Sequence, residues 1–336
     1  MSGPIAVVTG GAGFIGSHAV DALVVRGFTV RVIDDLRGGR VANIEHVLDG
    51  SSVVLHEVDI GTLQADSPIF NGADLVLHFA GIGDIVPSVE RPADYMETNV
   101  MGTVRVLEAA RHAGVRRFVY AASSSCYGAD PSVPTDETSP IVTEYPYALS
   151  KFQGEQAAFH WARVYGLSVN AIRIFNAYGP RSRTSGAYGA VFGVFLKQKL
   201  AGQPFTVVGD GTQRRDFVFA TDVAEAFVLA GLTEHTGRVW NLGCGDPQSV
   251  NRLVELLGGP VVHIPKRPGE PDATWADITA IQRDLGWKQQ VSFEQGVAAV
   301  VANIDYWADA PLWDVDSIAA ATEPWFRMLS KGEDAS

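Results

Sequence analysis

Short, nearly continuous apolar runs punctuate the first half of the chain, at 4–9 (Pro-Ile-Ala-Val-Val-Thr), 29–34 (Thr-Val-Arg-Val-Ile-Asp), 53–57, 74–79, 117–122 and 168–174. Each is too short for an independent helix and reads as a strand buried on both faces. Helical patterns separate most of them, most clearly at 17–25, 91–113 and 147–165. This alternation predicts an α/β fold with a doubly wound parallel sheet. After Asn176 the rhythm changes to turns rich in Gly, Pro and Arg, a helix near 189–201, and short pieces around 205–208 and 217–230. Residues 238–242 read as a strand returning to the first sheet. The expected organisation is a first domain over 1–176, with returning segments near 214–242, and a smaller, interleaved carboxy-terminal lobe over 177–336. The stretch 302–336 carries Trp307, Trp313 and Trp325 among acidic residues, and predicts helical packing followed by a frayed tail.

Composition narrows the function classes. With 26 Lys and Arg against 38 Asp and Glu, the net charge is −12, which disfavours a nucleic-acid-binding surface. A few arginines at a cleft can still hold a small anion. No run approaches the roughly 18 apolar residues of a membrane span, and the opening Met-Ser-Gly-Pro lacks the pattern of a signal peptide. The two cysteines, Cys126 and Cys244, lie in apolar or Gly-rich segments, so a reduced, cytoplasmic protein is expected.

The segment Gly10-Gly11-Ala12-Gly13-Phe14-Ile15-Gly16 follows the first predicted strand and opens the first predicted helix. Gly10, Gly13 and Gly16 allow a tight turn, close approach of backbone amides to a pyrophosphate, and close packing of helix on strand. The helix amino end favours the anion. Asp34 ends the second predicted strand, where a carboxylate accepts both adenosine ribose hydroxyls and repels a 2′-phosphate. The expectation is a Rossmann-type domain that binds NAD rather than NADP, although Arg37 and Arg40 stand nearby. Asp59, after the third strand, is either an adenine contact or a strand-end cap.

Tyr147 and Lys151, in Tyr-Ala-Leu-Ser-Lys, share one face of the predicted helix 147–165. A tyrosine normally keeps its proton at neutral pH; the positive charge of a lysine one turn away, with that of an oxidised nicotinamide, is expected to lower its pKa, and the lysine can also anchor the nicotinamide ribose. Ser123 follows the strand 117–122, where its hydroxyl can bond a reacting oxygen. No Gly-x-Ser-x-Gly elbow is present, which argues against a Ser-His-Asp hydrolase. The eight histidines form no metal-ligand spacing, so no metal is expected.

At this point the chain resembles the extended short-chain dehydrogenases/reductases, and within them the nucleotide-sugar 4-epimerases typified by UDP-galactose 4-epimerase. The likeness runs from the glycine turn to Leu285-Gly286-Trp287. It is carried by His78-Phe79-Ala80-Gly81, Asn99 with Gly102-Thr103, Ser123 to Gly128, Tyr147 to Lys151 and Phe175-Asn176-Ala177-Tyr178-Gly179-Pro180-Arg181. Arg215-Asp216-Phe217-Val218, Asn241-Leu242-Gly243 and Arg267-Pro268-Gly269-Glu270 continue it. The resemblance implies Tyr147 as base and acid, Ser123 as hydroxyl partner and Lys151 as cofactor anchor. It implies NAD contacts at Gly10, Gly13, Phe14, Ile15, Gly16, Asp34, Asp59, Ile60, Phe79, Ala80, Gly81 and Asn99. Substrate contacts are implied at Ser124, Ser125, Asn176, Ala190, Val191, Arg215, Arg267, Asp272 and Thr274. Two arginines in the second lobe also make chemical sense, because guanidinium forks pair with phosphate oxygens.

The reaction this resemblance implies is inversion at C4 of a UDP-hexose or UDP-N-acetylhexosamine through a transient 4-keto sugar. Related 4,6-dehydratases place an Asp-Glu pair where this chain has Ser124 and Ser125, and related decarboxylases keep a glutamate at the Ser125 position. Both reactions are therefore less expected. Thr274 stands where galactose epimerases often carry a bulky tyrosine, leaving room for an acetamido group. The stretch 186–191 is similar to a loop of N-acetylhexosamine epimerases. UDP-glucuronate stays open through Arg181 or Arg183, as do ADP-, GDP- and CDP-sugars. A dinucleotide sensor without turnover is the reading from another class, but such proteins commonly lose the tyrosine or lysine kept here. Helices 91–113 and 147–165 are similar to the pair that forms a homodimer interface in this family.

Overall fold

In the computed structural model, residues 3–182, 191–266 and 271–329 are described. The first half supplies β1 (Ile5–Thr9), β2 (Thr29–Asp34), β3 (Val53–Glu57), β4 (Leu75–His78), β5 (Arg117–Ser123) and β6 (Val169–Ile174). The second half adds β7 (Asn176–Tyr178), β8 (Phe205–Val208), β9 (Arg214–Arg215), β10 (Phe217–Phe219), β11 (Val239–Leu242), β12 (Gln248–Ser249) and β13 (Val261–Ile264). Among the described residues the main sheet is parallel and ordered β11-β6-β5-β4-β1-β2-β3. The order reverses between β1 and β4, which leaves a crevice at the carboxyl ends of those strands. β11 does return to the first sheet, with Val239 opposite Ala171 on β6.

The helices are α1 (Phe14–Val25), α2 (Pro92–Tyr95), α3 (Thr103–His112), α4 (Pro146–Tyr165), α5 (Val191–Leu200), α6 (Ala220–Leu232), α7 (Val250–Leu257), α8 (Thr279–Leu285), α9 (Phe293–Ala302) and α10 (Val315–Leu329). The single helix expected over 91–113 is instead α2 and α3 joined by a π-helical turn, Met96–Gly102. Sequence periodicity could not show this, because a wider turn changes the backbone ladder without changing the apolar stripe. None of the described helices is long and apolar enough to cross a membrane.

Alternate residues of β1 feed opposite faces of the sheet, as a two-residue period requires. Ala6 and Val8 join one core with α1, α6, Trp240 and Trp287. Val7 joins the other with Ile33, Val76, Val106 and Ala158. A third core, rich in aromatic rings (Tyr178, Phe192, Phe217, Phe219, Phe293), organises the second lobe. Such side chains contribute about 1.5–3 kcal/mol each when fully buried. α4 is tied to the sheet by a buried pair in which Arg173 donates to both Glu155 oxygens at 2.9 and 2.6 Å. Gly154 permits this close approach, since a Cβ there would lie 2.2 Å from Tyr120 Oη.

Candidate active site

The glycine turn forms where β1 meets α1. Gly10 has φ +67°, and a Cβ on it would lie 2.7 Å from the Ala80 nitrogen. A Cβ on Gly16 would lie 2.1 Å from the Gly10 carbonyl oxygen, so the helix packs directly on the turn. Gly13 caps α1 without a side-chain bond, and neither Phe14 nor Ile15 nor the rest of the first turn carries an acid. The amide ends there suit an anion. Asp34 lies buried at the end of β2, accepting from Ala12 N–H (3.0 Å) and Leu36 N–H (2.9 Å). Burial raises its pKa, and its carboxylate keeps further lone pairs for hydroxyl donors.

The two nearby arginines are engaged elsewhere. Arg37 donates to Asp35 (2.5 Å) and to Asp59 (2.7 Å), while Arg40 lies over the Tyr306 ring at 5.2 Å. Asp59 accepts from Gly61 N–H at 2.7 Å and caps the short turn Ile60–Thr62.

Beside the turn, the end of β4 is held by a relay of hydroxyls. Thr103 donates to the Asn99 carbonyl (2.7 Å), so it accepts from His78 Nε2–H (2.9 Å), and Thr9 donates to His78 Nδ1 (2.6 Å). His78 is therefore neutral, and its burial pushes its pKa down to about 3. Thr9 was not singled out in the sequence, and only its place at the end of β1 pointed to it. Phe79 packs on Phe227 of α6 at 4.5 Å, and Ala80 N–H donates to Thr9 Oγ1 at 3.3 Å. Asn99, within the π turn, accepts from Ile82 N–H (2.8 Å) and donates to Ile82 O (3.1 Å) and Ser150 Oγ (2.9 Å). Its amide braces the loop after β4. Gly81 fits because a Cβ would sit 2.8 Å from Asn99 Oδ1 and 4.0 Å from Lys151 Nζ.

Ser123, Tyr147 and Lys151 come together at this edge. Tyr147 Oη donates to Ser123 Oγ at 3.4 Å, and Ser125 N–H donates to the same oxygen at 3.2 Å. Ser124 and Ser125 open the turn Ser124–Tyr127 just beyond β5. Lys151 is buried, with Nζ 4.6 Å from the Tyr120 ring centre. Burial lowers its pKa to about 8, with Glu155 opposing. Burial raises the Tyr147 pKa, the Ser123 hydrogen bond opposes, and Asp84 and Cys126 reinforce the rise.

Across the cleft, Thr274 Oγ1 donates to Asn176 Oδ1 (2.6 Å) and accepts from Asp216 N–H (3.2 Å). Asp216 is fully buried and accepts from the N–H groups of Cys244 (2.5 Å), Gly245 (3.1 Å) and Ala276 (2.9 Å). It was quoted as part of a motif but not as a site residue. Its neighbour Arg215 donates to the Pro271 carbonyl at 2.8 Å. Asp272 is exposed and ion-paired with Lys266, away from the Asn176–Thr274 pair. Arg181 pairs with Asp21 of α1 at 2.7 Å. Val191 begins α5, whereas Ala190, Arg183 and Arg267 lie outside the described residues.

Comparison with known proteins agrees with this geometry. The profile of the NAD dependent epimerase/dehydratase family matches residues 6–243. A UDP-glucose 4-epimerase of Mycolicibacterium smegmatis is 36% identical over 309 residues, covering 88% of this chain and 96% of that protein. A UDP-N-acetylglucosamine 4-epimerase of Methanobrevibacter ruminantium, solved with UDP-N-acetylmuramic acid, superposes with a TM-score of 0.85 at 28% identity, covering 92% of this chain and 99% of that one. A UDP-glucuronic acid 4-epimerase of Bacillus cereus, solved with UDP-glucuronic acid and NAD, gives a TM-score of 0.83 at 29% identity, covering 91% and 99%. With the family profile matching residues 6–243 and a relative 36% identical over 88% of its length, the chain belongs to the NAD-dependent epimerase/dehydratase family.

Proposed function

We propose that this chain is an NAD-dependent nucleotide-sugar 4-epimerase that inverts C4 of a UDP-hexose or UDP-N-acetylhexosamine. The observation that carries the reading is the Tyr147–Ser123 hydroxyl pair, 3.4 Å apart, at the same sheet edge as the glycine turn. NAD fits that turn: the amino end of α1 has no side-chain cap and no acidic residue in its first turn, so its amides suit a pyrophosphate, and Asp34 is placed for a ribose. When bound, NAD supplies a hydride acceptor and donor at C4 and a cationic ring beside the phenol.

The chain's residues handle the proton. Tyr147 takes it from the sugar O4 as C4 is oxidised, and Ser123 bonds the same oxygen. The 4-keto sugar turns over while its diphosphate stays held, and Tyr147 returns the proton once the opposite face presents itself. Burial keeps the phenol protonated at rest, so positive charge near it is required to form the phenolate. Asn176, Thr274 and Arg215 belong to the substrate side in this reading, with Ser124 and Ser125 at the reacting end. Two serines there provide no carboxylate for dehydration. The Arg181–Asp21 ion pair favours a neutral sugar over a glucuronate.

A panel of UDP-, dTDP-, ADP-, GDP- and CDP-sugars followed by NMR tests the assignment. Inversion at C4 with unchanged mass is expected; loss of water would select a dehydratase, and turnover of UDP-glucuronate alone would select the glucuronate epimerase. A homodimer through helices near 91–113 and 147–165 is part of this reading. Sedimentation as a monomer would remove that part. Both cysteines are free, which supports a cytoplasmic location.

A further inference from the structure

Trp325 is buried, yet among the described residues it belongs to none of the three apolar cores. Its ring meets Tyr145 with centroids 5.2 Å apart. Tyr145, at the amino cap of α4, stacks on Tyr147 with planes 8° apart and centroids at 6.5 Å. On another side, Tyr95 meets Tyr147 edge-on at 6.4 Å, and its hydroxyl donates to the Asp84 carbonyl at 2.5 Å. The Asp84 loop continues into the turn Val86–Val89, on which α10 packs. Both rings flanking Tyr147 therefore lead to the carboxy-terminal helix.

The other end of α10 is anchored in the second lobe. Ile318 enters that lobe's core, and Gln198 of α5 donates to the Trp313 carbonyl at 2.7 Å just ahead of the helix. α10 thus spans from the second lobe's core to the first turn of α4.

We propose that Trp325 is a positioning residue that acts through Tyr145 to hold Tyr147 against Ser123. The inference rests on Tyr147 being the proton-transfer group. At 3.4 Å the Tyr147–Ser123 contact has little tolerance for further displacement. Displacing a reacting group by about 1 Å can cost about 100-fold in rate.

The test uses the full chain and three variants. Trp325→Ala is expected to lower kcat by roughly 10- to 100-fold with KM changed by less than about threefold, and Trp325→Phe to recover most of the loss. Ile318→Ala, on the same helix but facing the other core, is expected to lower the melting temperature and keep kcat. Full kcat in Trp325→Ala overturns the proposal. So does an equal kcat loss in Ile318→Ala at a matched loss of melting temperature. If Trp325→Ala does not fold, Tyr145→Leu breaks the same stack from the other side, and full kcat there overturns it equally.

A second readout needs no sugar. Ultraviolet titration of tyrosinate, taken as the difference between each protein and its Tyr147→Phe counterpart, reports the phenol itself. The titratable groups around that phenol are Asp84, Tyr95, Cys126 and Tyr145, with Lys151 one turn along α4, and Trp325→Ala changes none of them. Opening the stack to water is expected to move the titration down toward the ordinary tyrosine value, and an unmoved titration counts against the proposal. A wild type that turns over no nucleotide sugar would defeat the proposed function, while this titration would still decide whether Trp325 reaches Tyr147.

Discussion

The glycine turn of the first lobe and the Asn176–Thr274–Asp216 junction of the second face the same cleft, but they are held by different means. The turn is backbone geometry: residues 10–16 need only a positive φ and missing side chains, and β1 and α1 on either side fix the rest. The junction is made of side chains from segments 58 and 98 residues apart in the chain, joined by single hydrogen bonds. A site built from one contiguous segment is rigid and general to dinucleotides. A site assembled from distant segments can change its selectivity by one substitution, at the cost of depending on the packing around it.

If that contrast is right, changes at the sheet edge should abolish chemistry or cofactor retention, and changes at the junction should act mainly on KM. The largest effect is expected for Tyr147→Phe, which removes the proton carrier and should lower kcat by about 10³-fold with sugar binding retained. Calorimetry and turnover on one preparation would check both halves, and undiminished turnover would remove Tyr147 from the mechanism. Gly16→Ala comes next. Its Cβ cannot avoid the Gly10 carbonyl, so the turn must open, with a loss of about 1–3 kcal/mol and of copurifying NAD. Cofactor content by absorbance after denaturation measures this.

Two further effects concern charge. Burial holds His78 at about 3, below its unfolded value near 6.5, so the unfolded chain binds the extra proton between those limits. Stability should then rise with pH across that window and fall on acidification from about 6.5 toward 3, by at most about 5 kcal/mol. Denaturant midpoints at pH 4 and 7 should differ less in His78→Asn than in the wild type. Lys151, held at about 8, should lose its proton above that pH, so kcat should decline there. Lys151→Arg should push the decline to higher pH. The smallest effect is expected at the junction. Thr274→Val keeps the shape but strands Asn176 Oδ1 and Asp216 N–H, for about 1 kcal/mol and a rise of several-fold in KM. A kcat effect larger than the KM effect would blur the contrast.

Much of the first lobe was legible in the chain. Strands at 29–34 and 53–57 have the expected limits, and the returning strand near 238–242 is β11. Tyr147 and Lys151 were readable because a helix places residues four apart on one face. The π turn, the relay through Thr9, His78 and Thr103, and the engagement of Arg37, Arg40 and Arg181 were not. The Thr9–His78 bond, the Arg37–Asp59 pair and the Arg181–Asp21 pair join residues 69, 22 and 160 apart in the chain, and a π turn leaves the apolar stripe unchanged, so local periodicity is blind to them. Burial, which raises the Tyr147 pKa, is a property of the whole surrounding that no pair of residues in the sequence reveals.

What the sequence determined by itself is the order of strands and helices, the glycine turn and the residue types at the reacting edge. These follow from apolar spacing, backbone freedom and chemical identity, all readable within a few residues. What only the tertiary structure decided is which charges are already paired, which way burial moves each proton, and where α10 comes to rest. These depend on distances between segments far apart in the chain, where the free energy of a group is set by what surrounds it rather than by its neighbours in sequence.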